Sequence, residues 1–373
     1  MRAFILVVDS FGIGKASDAY LYGDEGSDTY KSISKGIEVP NLVMLGLNNI
    51  DGVEALPKCD KPLASYARLI EKSVGKDTVT GHFEIAGIIS VKPQPTFPDG
   101  FPDEIVYKLE KAFGAKILGN EAASGTEIIK RLGRQSTDEV RPIVYTSADS
   151  VLQIAANESV IPLERLYQMC ESARRIMCGD YAVGRIIARP FLEGKDGFYR
   201  TENRKDYSLL PPRDSLLDML KKKGKTVIGV AKIRDIFSGQ GLTEHIAVHS
   251  NDEVCKAVSD VLDRDFDGLC FVNLVDTDMV YGHRNDVDGY RRCVERFDGY
   301  LGQMLGKLKS DDMFIITADH GCDPATPSTD HSRENVPYLC YVKGREGENL
   351  GTIKGFDFVA KTVYKYLTGE EFV

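Results

Sequence analysis

Four short segments, far apart along the chain, carry the carboxylate, imidazole and hydroxyl groups that a two-metal phosphoryl-transfer site requires. They span residues 7–10, 76–82, 276–283 and 317–331. In such a site two divalent ions about 4 Å apart hold the attacking and leaving oxygens of a phosphate in line, and roughly six carboxylate or imidazole ligands hold the ions. The four segments offer that number of ligands, so the sequence predicts a site of this kind.

Asp9 follows an apolar run at residues 3–8 and precedes Gly12 and Gly14. The glycines resemble the start of a dinucleotide-binding fingerprint, but Ser17 stands where the third glycine is required, so we reject that interpretation. A single aspartate at a strand end is more often a turn former or a helix cap than a ligand. The interpretation of Asp9 as a metal ligand therefore depends on the other segments.

Two further segments combine a carboxylate with an imidazole after an apolar run. Asp278 and His283 have a D-x4-H spacing and can supply one oxygen and one nitrogen to the same ion. Asp319 and His320 are adjacent, and they can converge on one ion only if the backbone turns at once, which Gly321 permits. Such pairs also occur in ordinary capping turns, so the prediction rests on their combination.

Histidines are concentrated in these segments. Four of the six in the chain lie there, namely His82, His283, His320 and His331. The other two, His245 and His249, have the i, i+4 spacing of a helical metal pair, but Ile246 stands where an H-E-x-x-H motif needs glutamate. We interpret His245 and His249 as surface or core residues.

The segment 76–82 places two hydroxyls, Thr78 and Thr80, in a glycine-flanked turn before a helical pattern. Unpaired N–H groups at a helix N-terminus would stabilise a phosphate carried there. A threonine is a weak nucleophile, but coordination to a divalent metal activates it. From the residues alone an ordinary aspartate or threonine cap is the more frequent arrangement, so the assignment of a nucleophile depends on the other segments.

The elements that must position these groups are buried parallel strands, which read as short continuous apolar runs. Such runs occur at residues 3–8, 226–230, 269–275 and 313–318, with helical patterns at 252–262 and 290–308. Alternating strands and helices predict an α/β core with a doubly wound, mostly parallel sheet. Ligands then bind beyond the carboxyl ends of the strands, where the predicted metal ligands lie.

A proline-rich stretch at residues 92–98 and the Pro211-Pro212 pair predict two linkers. Between them lie helical patterns at 103–113 and 163–178 and strand-like runs at 142–146 and 184–188. We therefore predict an inserted α+β cap domain at 93–212, with the core formed by residues 1–92 and 213–373.

Composition excludes several classes of partner. The 373 residues contain 47 Lys plus Arg and 56 Asp plus Glu, a formal charge of −9, with no long basic run, so no nucleic-acid partner is expected. No stretch approaches the roughly 20 apolar residues that span a bilayer, and the N-terminus lacks signal-peptide features, so no membrane partner is expected. The eight cysteines are dispersed without a C-x-x-C pair. These features predict reduced thiols in a cytoplasmic protein.

Together the motifs resemble those of the phosphopentomutases, a family of the alkaline phosphatase superfamily, over almost the whole length. They comprise DSFGIG at 9–14, GKDTVTGH at 75–82, ASGT at 123–126, YTSADS at 145–150, GRIIARPF at 184–191 and TADHG at 317–321. The last motif is shared widely in the superfamily, whereas those around 147 and 185 are more specific to the family. The resemblance implies an alkaline phosphatase-like core.

The resemblance also implies specific roles for the candidate ligands. One ion would be held by Asp9, Asp319, His320 and the oxygen of Thr78. The other would be held by Asp278, His283 and His331. Thr78 rather than Thr80 would carry the phosphoryl group, and both ions would be Mn2+. From the residues alone, an oxygen- and imidazole-rich set without thiolate suits manganese but does not exclude zinc.

The implied reaction interconverts ribose 1-phosphate, or its 2-deoxy analogue, with the 5-phosphate through a phosphothreonine enzyme and a 1,5-bisphosphate. The implied partner is thus a small-molecule pentose phosphate, the primer is glucose 1,6-bisphosphate or ribose 1,5-bisphosphate, and the protein is a monomer. A closing cap would keep water out during turnover. The residues implied to bind sugar or its distal phosphate are Ser147, Asp149, Arg185, Arg200 and Lys232.

Three alternatives remain open at this point. A two-metal phosphatase or phosphodiesterase would use Thr78 in the same way but let water attack the phosphothreonine. A cofactor-independent phosphoglycerate mutase is expected to have serine as the nucleophile, which position 78 disfavours. A binding protein with purely structural metals would close both coordination spheres with protein ligands.

Overall fold

A computed structural model describes residues 1–147, 150–195 and 197–373. Its strands are β1 (Arg2–Val8), β2 (Ser65–Ile70), β3 (Leu118–Ala122), β4 (Ile143–Thr146), β5 (Val151–Asn157), β6 (Arg185–Gly194), β7 (Gly197–Arg200), β8 (Lys205–Ser208), β9 (Thr226–Val230), β10 (Glu244–Ile246), β11 (Gly268–Leu274), β12 (Asp312–Thr317), β13 (Val336–Val342) and β14 (Asn349–Lys354).

The helices are α1 (Thr29–Ile33), α2 (Pro40–Leu45), α3 (Thr78–Ile85), α4 (Asp103–Phe113), α5 (Gly125–Asp138), α6 (Leu163–Ile176), α7 (Leu216–Lys222), α8 (Ile233–Ile236), α9 (Asn251–Leu262), α10 (Val287–Lys307) and α11 (Asp357–Thr368). In the described residues, none of them is long and apolar enough to cross a bilayer.

The chain divides into two compact units. The first comprises Met1–Lys92 and Pro211–Val373, and the second comprises Pro93–Leu210. The predicted insertion at 93–212 begins at the same residue as the second unit and extends through Pro211 and Pro212, which the structure groups with the first unit.

The first unit contains an eight-stranded sheet in the order β10-β9-β11-β1-β12-β13-β2-β14. Among these strands, β13 alone runs antiparallel to its neighbours. The four predicted apolar runs form β1, β9, β11 and β12, and every residue of β1 and β11 is buried. The predicted fold class, a mostly parallel α/β sheet, is confirmed.

Helices pack on the sheet of the first unit in two groups. One group joins α10 to α1, α2 and α9, and the other joins α3 to α8 and α11, with α7 also against α11. A single apolar core runs between these layers. At the amino end of β1 the buried guanidinium of Arg2 makes a bidentate ion pair with Asp312 of β12, at 2.8 and 2.5 Å. This pair fixes the register of the two central strands.

The strand directions explain why distant segments meet at one edge of this sheet. The strands β9, β11, β1 and β12 are adjacent and parallel, so their carboxyl ends lie side by side. Because β13 runs in the opposite direction, the loop that precedes it reaches the same edge. This loop carries residues 328–335, and β2 ends at this edge before the segment that leads to α3.

The second unit contains a six-stranded mixed sheet in the order β3-β4-β5-β6-β7, with β8 also paired to β6. Helices α4 and α6 pack together over one apolar cluster, and α5 packs against β3, β4, β5 and β7 over another. Its helices α4 and α6 and the strands β4 and β6 correspond to the four predicted elements. The unit has the α+β composition that the sequence predicted.

Candidate two-metal centre

Asp9, Asp319 and His320 form a fully buried cluster at the carboxyl edge of the first unit. Each offers a ligand atom within 4.8 Å of the others. Asp9 follows β1, and Asp319 and His320 follow β12, so strand pairing brings them together. The N–H of Ser10 donates to Asp319 Oδ1 at 3.1 Å, and Ser10 has a positive φ of 65°. This uncommon backbone conformation costs energy, and the hydrogen bond to Asp319 helps to offset that cost.

A second cluster adjoins the first and shares His320 with it. Asp278, His320 and His331 have ligand atoms within 4.8 Å of one another. Asp278 lies in a single π-helical turn, Thr277–Tyr281, directly after β11, and such turns are frequent at functional sites. His283 Nε2 lies 3.4 Å from Asp278 Oδ2 and 3.2 Å from His331 Nε2. All six predicted ligands therefore lie in one connected group.

The donor set of this group fits bound cations. Three carboxylate oxygens, Asp9 Oδ1, Asp278 Oδ1 and Asp319 Oδ2, are buried without a hydrogen-bond donor. A buried carboxylate oxygen without a partner is costly, and each of these oxygens lies in a predicted ligand cluster. The facing ring nitrogens of His283 and His331 also require a cation or proton between them. Divalent ions would satisfy all these atoms at once.

Cys322 adds a soft atom to the second cluster. Its Sγ lies within 4.8 Å of ligand atoms of Asp278 and His283, and it is directed to the Asp330 carbonyl oxygen at 3.6 Å. Gly321 turns the chain so that the residue after it faces Asp278, and burial raises the pKa of this thiol. The predicted ligand set without thiolate therefore stays a prediction. All eight cysteines, each within the described residues, are free.

Charges within the group shift its pKa values in opposite directions. Burial opposes ionisation of His320, yet the carboxylates of Asp319 and Asp9 raise its pKa well above the ordinary value. Burial raises the pKa of Asp278, but the imidazoles of His283 and His331, each 3.4 Å from one of its oxygens, hold that pKa well below its ordinary value. Without a metal the imidazoles of His283 and His320 thus hold protons beside the carboxylates, and a cation that displaces those protons keeps the charges balanced.

Thr78, the first residue of α3, faces the first cluster. Its Oγ1 lies 3.1 Å from His320 Nε2, and its side chain is half-buried. Thr80 differs, because its hydroxyl donates to Asp77 Oδ2 at 2.5 Å and is buried in the helix cap. Of the two hydroxyls that the sequence left open, only that of Thr78 therefore points to the candidate ligands.

The cap of α3 departs from one expectation. The N–H groups of Val79 and Thr80 both donate to Asp77 Oδ1 at 3.1 Å. They are not available to a phosphate on Thr78, so the prediction that unpaired N–H groups of this helix would stabilise the phosphate is wrong for these two groups. The Asp77 carboxylate occupies the anion position.

The predicted substrate-binding residues fall into both units. In the first unit, Lys232 follows β9 and its Nζ lies 3.9 Å from Asp9 Oδ2. In the second unit, Ser147 is half-buried at the end of β4, Arg185 is half-buried at the start of β6, and Arg200 is exposed at the end of β7. Asp149 lies outside the described residues.

Two of the predicted phosphate-binding arginines each have a second arginine four positions later, and the hydrogen bonds of the two members of each pair differ. Arg204 makes a bidentate ion pair with Asp206 at 2.7 and 2.6 Å, and Arg189 donates to Gln153 Oε1 at 3.0 Å. In the described part of the chain, no hydrogen bond or ion pair engages the guanidinium groups of Arg185 and Arg200. Arg185 and Arg200 thus remain the better candidates for binding a ligand.

His245 and His249 do not lie on a helix, so the helical spacing noted in the sequence has no structural counterpart. His245 lies in β10, and its Nε2 donates to the Ala231 carbonyl at 3.1 Å. Ala231, which precedes Lys232, has a φ of 59°. The strained peptide before Lys232 is thus held by β10, and neither histidine belongs to the ligand clusters of the described residues.

Three further residues support the site and were missed from the sequence: Asn273, Arg333 and Glu334. Asn273 interrupts the otherwise apolar β11, which is a detectable signal, and its Nδ2 donates to Asp9 Oδ2 at 3.0 Å. The guanidinium of buried Arg333 makes an ion pair with Glu71 and also donates to the Gly75 carbonyl at 2.7 Å. These contacts cross most of the chain and leave no local pattern.

The fold and the ligand clusters define a metalloenzyme, and comparison with known proteins agrees. Residues 1–371 match the family model described as the Metalloenzyme superfamily. A phosphopentomutase of Acetivibrio thermocellus is 52% identical over 370 residues, 98% of this chain and 95% of that protein. One of Caldanaerobacter subterraneus subsp. tengcongensis is 52% identical over 365 residues, 97% of this chain and 93% of that protein. The chain belongs to the phosphopentomutase family of this superfamily.

Solved structures share the fold at low sequence identity. A phosphoglycerate mutase of Leishmania mexicana, solved at low cobalt concentration, has a TM-score of 0.52 at 12% identity, covering 100% of this chain and 96% of that one. The PH0037 protein of Pyrococcus horikoshii has a TM-score of 0.50 at 14% identity, covering 100% and 98%. These similarities concern the fold alone.

Proposed function

We propose that this protein is a phosphopentomutase that interconverts ribose 1-phosphate, or 2-deoxyribose 1-phosphate, with the corresponding 5-phosphate. The observation that carries the proposal is the position of Thr78 Oγ1, 3.1 Å from His320 Nε2 at the cluster with three unpartnered carboxylate oxygens. Relatives about half identical over nearly the whole chain bear the name phosphopentomutase, which supports the same reading.

The reaction needs a nucleophile that carries the phosphoryl group twice. Phosphorylated Thr78 passes its group to the free hydroxyl of a bound pentose monophosphate, which releases the threonine hydroxyl and forms a pentose 1,5-bisphosphate. The other phosphate of this intermediate is then transferred back to Thr78, which leaves the isomeric monophosphate. Each step breaks one P–O bond and forms another, and the accepting hydroxyl proton is exchanged for the phosphoryl group.

The residues of the first unit have distinct tasks in these steps. Asp9, Asp319, His320 and Thr78 Oγ1 would hold one ion, and Asp278, His283 and His331 would hold the other. Bound divalent ions supply in-line clamping of the attacking and leaving oxygens and lower the pKa of the hydroxyl. We propose Mn2+ for both positions, as the family resemblance implies and as a set of carboxylate and imidazole ligands allows, and glucose 1,6-bisphosphate or ribose 1,5-bisphosphate as primer.

Binding of the pentose monophosphate is assigned to the residues that the family resemblance implies. They are Ser147, Asp149, Arg185, Arg200 and Lys232. The free guanidinium groups of Arg185 and Arg200 support this assignment, because an unpaired arginine is available for bidentate binding of a phosphate. We further propose that residues 93–212 act as a cap that limits water attack on the phosphothreonine, and that the protein acts as a cytoplasmic monomer.

The test is a product analysis with ribose 1-phosphate, Mn2+ and a trace of glucose 1,6-bisphosphate. We expect ribose 5-phosphate as the product, with no more than trace inorganic phosphate, as followed by 31P NMR. Steady release of inorganic phosphate without ribose 5-phosphate would instead identify a two-metal phosphatase or phosphodiesterase. Because both activities would use Thr78, the ratio of the two products is the decisive measurement.

A further inference from the structure

His82 is a buried residue that the mechanism above does not use. It lies one helical turn after Thr78 on α3, and its side chain is fully buried. Its Nδ1 lies 2.9 Å from the Thr78 carbonyl oxygen and 3.0 Å from Asp319 Oδ2. Its Nε2 lies 3.3 Å from Asn273 Nδ2. The ring therefore stands between the backbone of the nucleophile and the ligands of the first cluster.

The hydrogen-bond partners determine which atoms of this chain donate. Asp9 Oδ2, a carboxylate oxygen that can only accept, lies 3.0 Å from Asn273 Nδ2, so the amide group of Asn273 points its NH2 to Asp9. The second hydrogen of this NH2 is directed to His82 Nε2, which must accept. His82 therefore donates from Nδ1 and accepts at Nε2.

The N–H group at Nδ1 of His82 lies close to two oxygen atoms, the carbonyl of Thr78 and Oδ2 of Asp319. The N–H donates to the Thr78 carbonyl, while Asp319 Oδ2, 3.0 Å away, receives no hydrogen bond. Asp319 Oδ2 is therefore free to bind a cation. The same oxygen still lies next to the partial positive charge on the N–H group of His82. The ring of His82 thus holds the peptide of Thr78 by a hydrogen bond and lies next to the carboxylate of Asp319. Through Asn273 it is also linked to the carboxylate of Asp9.

We propose that His82, acting with Asn273, is a positioning residue that sets the distance between the Thr78 hydroxyl and the first metal site through its Nδ1 donor. This inference deepens the proposed function and rests on it for the role of Thr78. The competing reading is packing alone, since the ring also stacks on Phe271 with centroids 5.9 Å apart. Partners in the outer shell of a metal site typically change metal affinity or activity by about 10- to 100-fold.

Two substitutions of His82 distinguish the role of Nδ1 from the role of Nε2. Asparagine in His82→Asn places its Nδ2 near the original Nδ1, where the carbonyl of Thr78 accepts a hydrogen bond. Glutamine in His82→Gln reaches the Nε2 position, so it retains the contact with Asn273 but loses the Nδ1 donor. His249→Asn and His249→Gln serve as matched controls, because the side chain of His249 is exposed and His249 belongs to none of the ligand clusters of the described residues.

The experiment measures three quantities on the full chain: Mn2+ affinity from the EPR signal of free ion, phosphate on Thr78 by intact mass after glucose 1,6-bisphosphate, and the melting temperature. We expect His82→Gln to bind Mn2+ about 10-fold or more weakly and to phosphorylate Thr78 slowly. We expect His82→Asn to stay within about 3-fold of the wild type in Mn2+ affinity, although it leaves a cavity and melts at a lower temperature.

Equal Mn2+ affinities for His82→Asn and His82→Gln, with melting temperatures that account for all differences, would overturn the positioning role in favour of packing. A greater loss in His82→Asn than in His82→Gln would also overturn it, because the essential atom would then be Nε2. Failure of the proposed function is recognised separately. In that case the wild type itself carries no phosphate on Thr78, while the Mn2+ measurement still tests the effect of His82 on the first ion.

Discussion

The hydroxyl oxygen of Thr78 lies 3.1 Å from Nε2 of His320, although 242 positions separate the two residues. The other ring nitrogen of His320 donates to the Gly321 carbonyl at 3.0 Å, which holds the ring in place. Nε2 therefore faces Thr78 and also the carboxylates of Asp9 and Asp319, at 3.4 and 3.3 Å. A cation bound by these carboxylates would lie next to the threonine hydroxyl.

The first prediction concerns this hydroxyl. Thr78→Ala should fold and bind Mn2+ but accept no phosphate from glucose 1,6-bisphosphate and show no mutase activity, because no other hydroxyl in the turn faces the cluster. Thr78→Ser should retain measurable phosphorylation. Intact mass and phosphopeptide mapping measure both. Thr80→Val is the matched control: it loses a cap hydrogen bond worth about 1 kcal/mol yet keeps the phosphate on Thr78. Wild-type turnover in Thr78→Ala would contradict the assignment.

The second prediction separates the two ions. Asp278→Asn removes a carboxylate from the second cluster, whereas the first keeps Asp9 and Asp319. We expect the amount of Mn2+ bound per chain, measured after dialysis, to fall by one ion, with loss of mutase activity. Asp276→Asn is the control. Asp276 Oδ2 accepts the N–H of Asn251 at 2.8 Å and lies outside the ligand clusters of the described residues.

Retention of both ions by Asp278→Asn would show that Asp278 is not needed for the second site. Loss of both ions would show that the two clusters bind cooperatively through the shared His320. Loss of an ion in Asp276→Asn would instead implicate the π-helical turn as a whole rather than the carboxylate of Asp278.

Much of this arrangement follows from local patterns in the sequence. A short apolar run that ends at an aspartate indicates a buried parallel strand with its ligand at the carboxyl edge, and this pattern placed Asp9 and Asp319 correctly at one edge. The choice between Thr78 and Thr80 could not be made in this way. Both are hydroxyls in the same turn, and only the direction of each side chain relative to Asp77 and His320 distinguishes them.

The supporting contacts were beyond reach of local patterns for a different reason. Glu334 receives hydrogen bonds from Gly14 and Thr29, which lie 320 and 305 positions away. No periodicity or spacing links such residues, so their meeting becomes evident only when the sheet order is known. The cap of α3 shows the same limit, because the pattern predicted a helix start but left open whether Asp77 caps the helix or its N–H groups remain available to a phosphate.

The third prediction concerns the close approach of α3 to the turn after β12. A Cβ added at Gly81 would overlap the backbone carbonyl of Asp319, which cannot move without displacing a predicted ligand. Gly81→Ala should therefore weaken Mn2+ binding and destabilise the fold by about 1–3 kcal/mol. Gly299→Ala, on the open face of α10, meets nothing within 4 Å and should stabilise by about 0.5–1 kcal/mol. Urea unfolding and Mn2+ titration test both; unchanged Mn2+ affinity in Gly81→Ala would contradict the prediction.

Glu334 is the basis of the last prediction, because its carboxylate is fully enclosed. Oε1 accepts the hydroxyls of Thr29 and Ser332, each at 2.7 Å. Oε2 accepts the N–H groups of Gly14 and Thr29, at 3.1 and 2.9 Å. Burial nevertheless raises the pKa of Glu334 to about 7, against the effect of these donors. A glutamine fits the same contacts, since its oxygen can take the two N–H groups and its NH2 can donate to the rotated hydroxyls.

The fourth prediction is therefore a pH dependence that Glu334→Gln removes. Between the ordinary carboxyl pKa near 4.5 and about 7, the folded protein keeps a proton on Glu334 that the unfolded chain has lost. The folded state binds more protons in this window, so the free energy of unfolding falls as pH rises through it and levels off above. Urea unfolding of metal-free protein across this range should give a shallower fall for Glu334→Gln than for the wild type. Glu346→Gln, at an exposed position, should follow the wild type, and an equal slope for Glu334→Gln would show that Glu334 ionises normally in the fold.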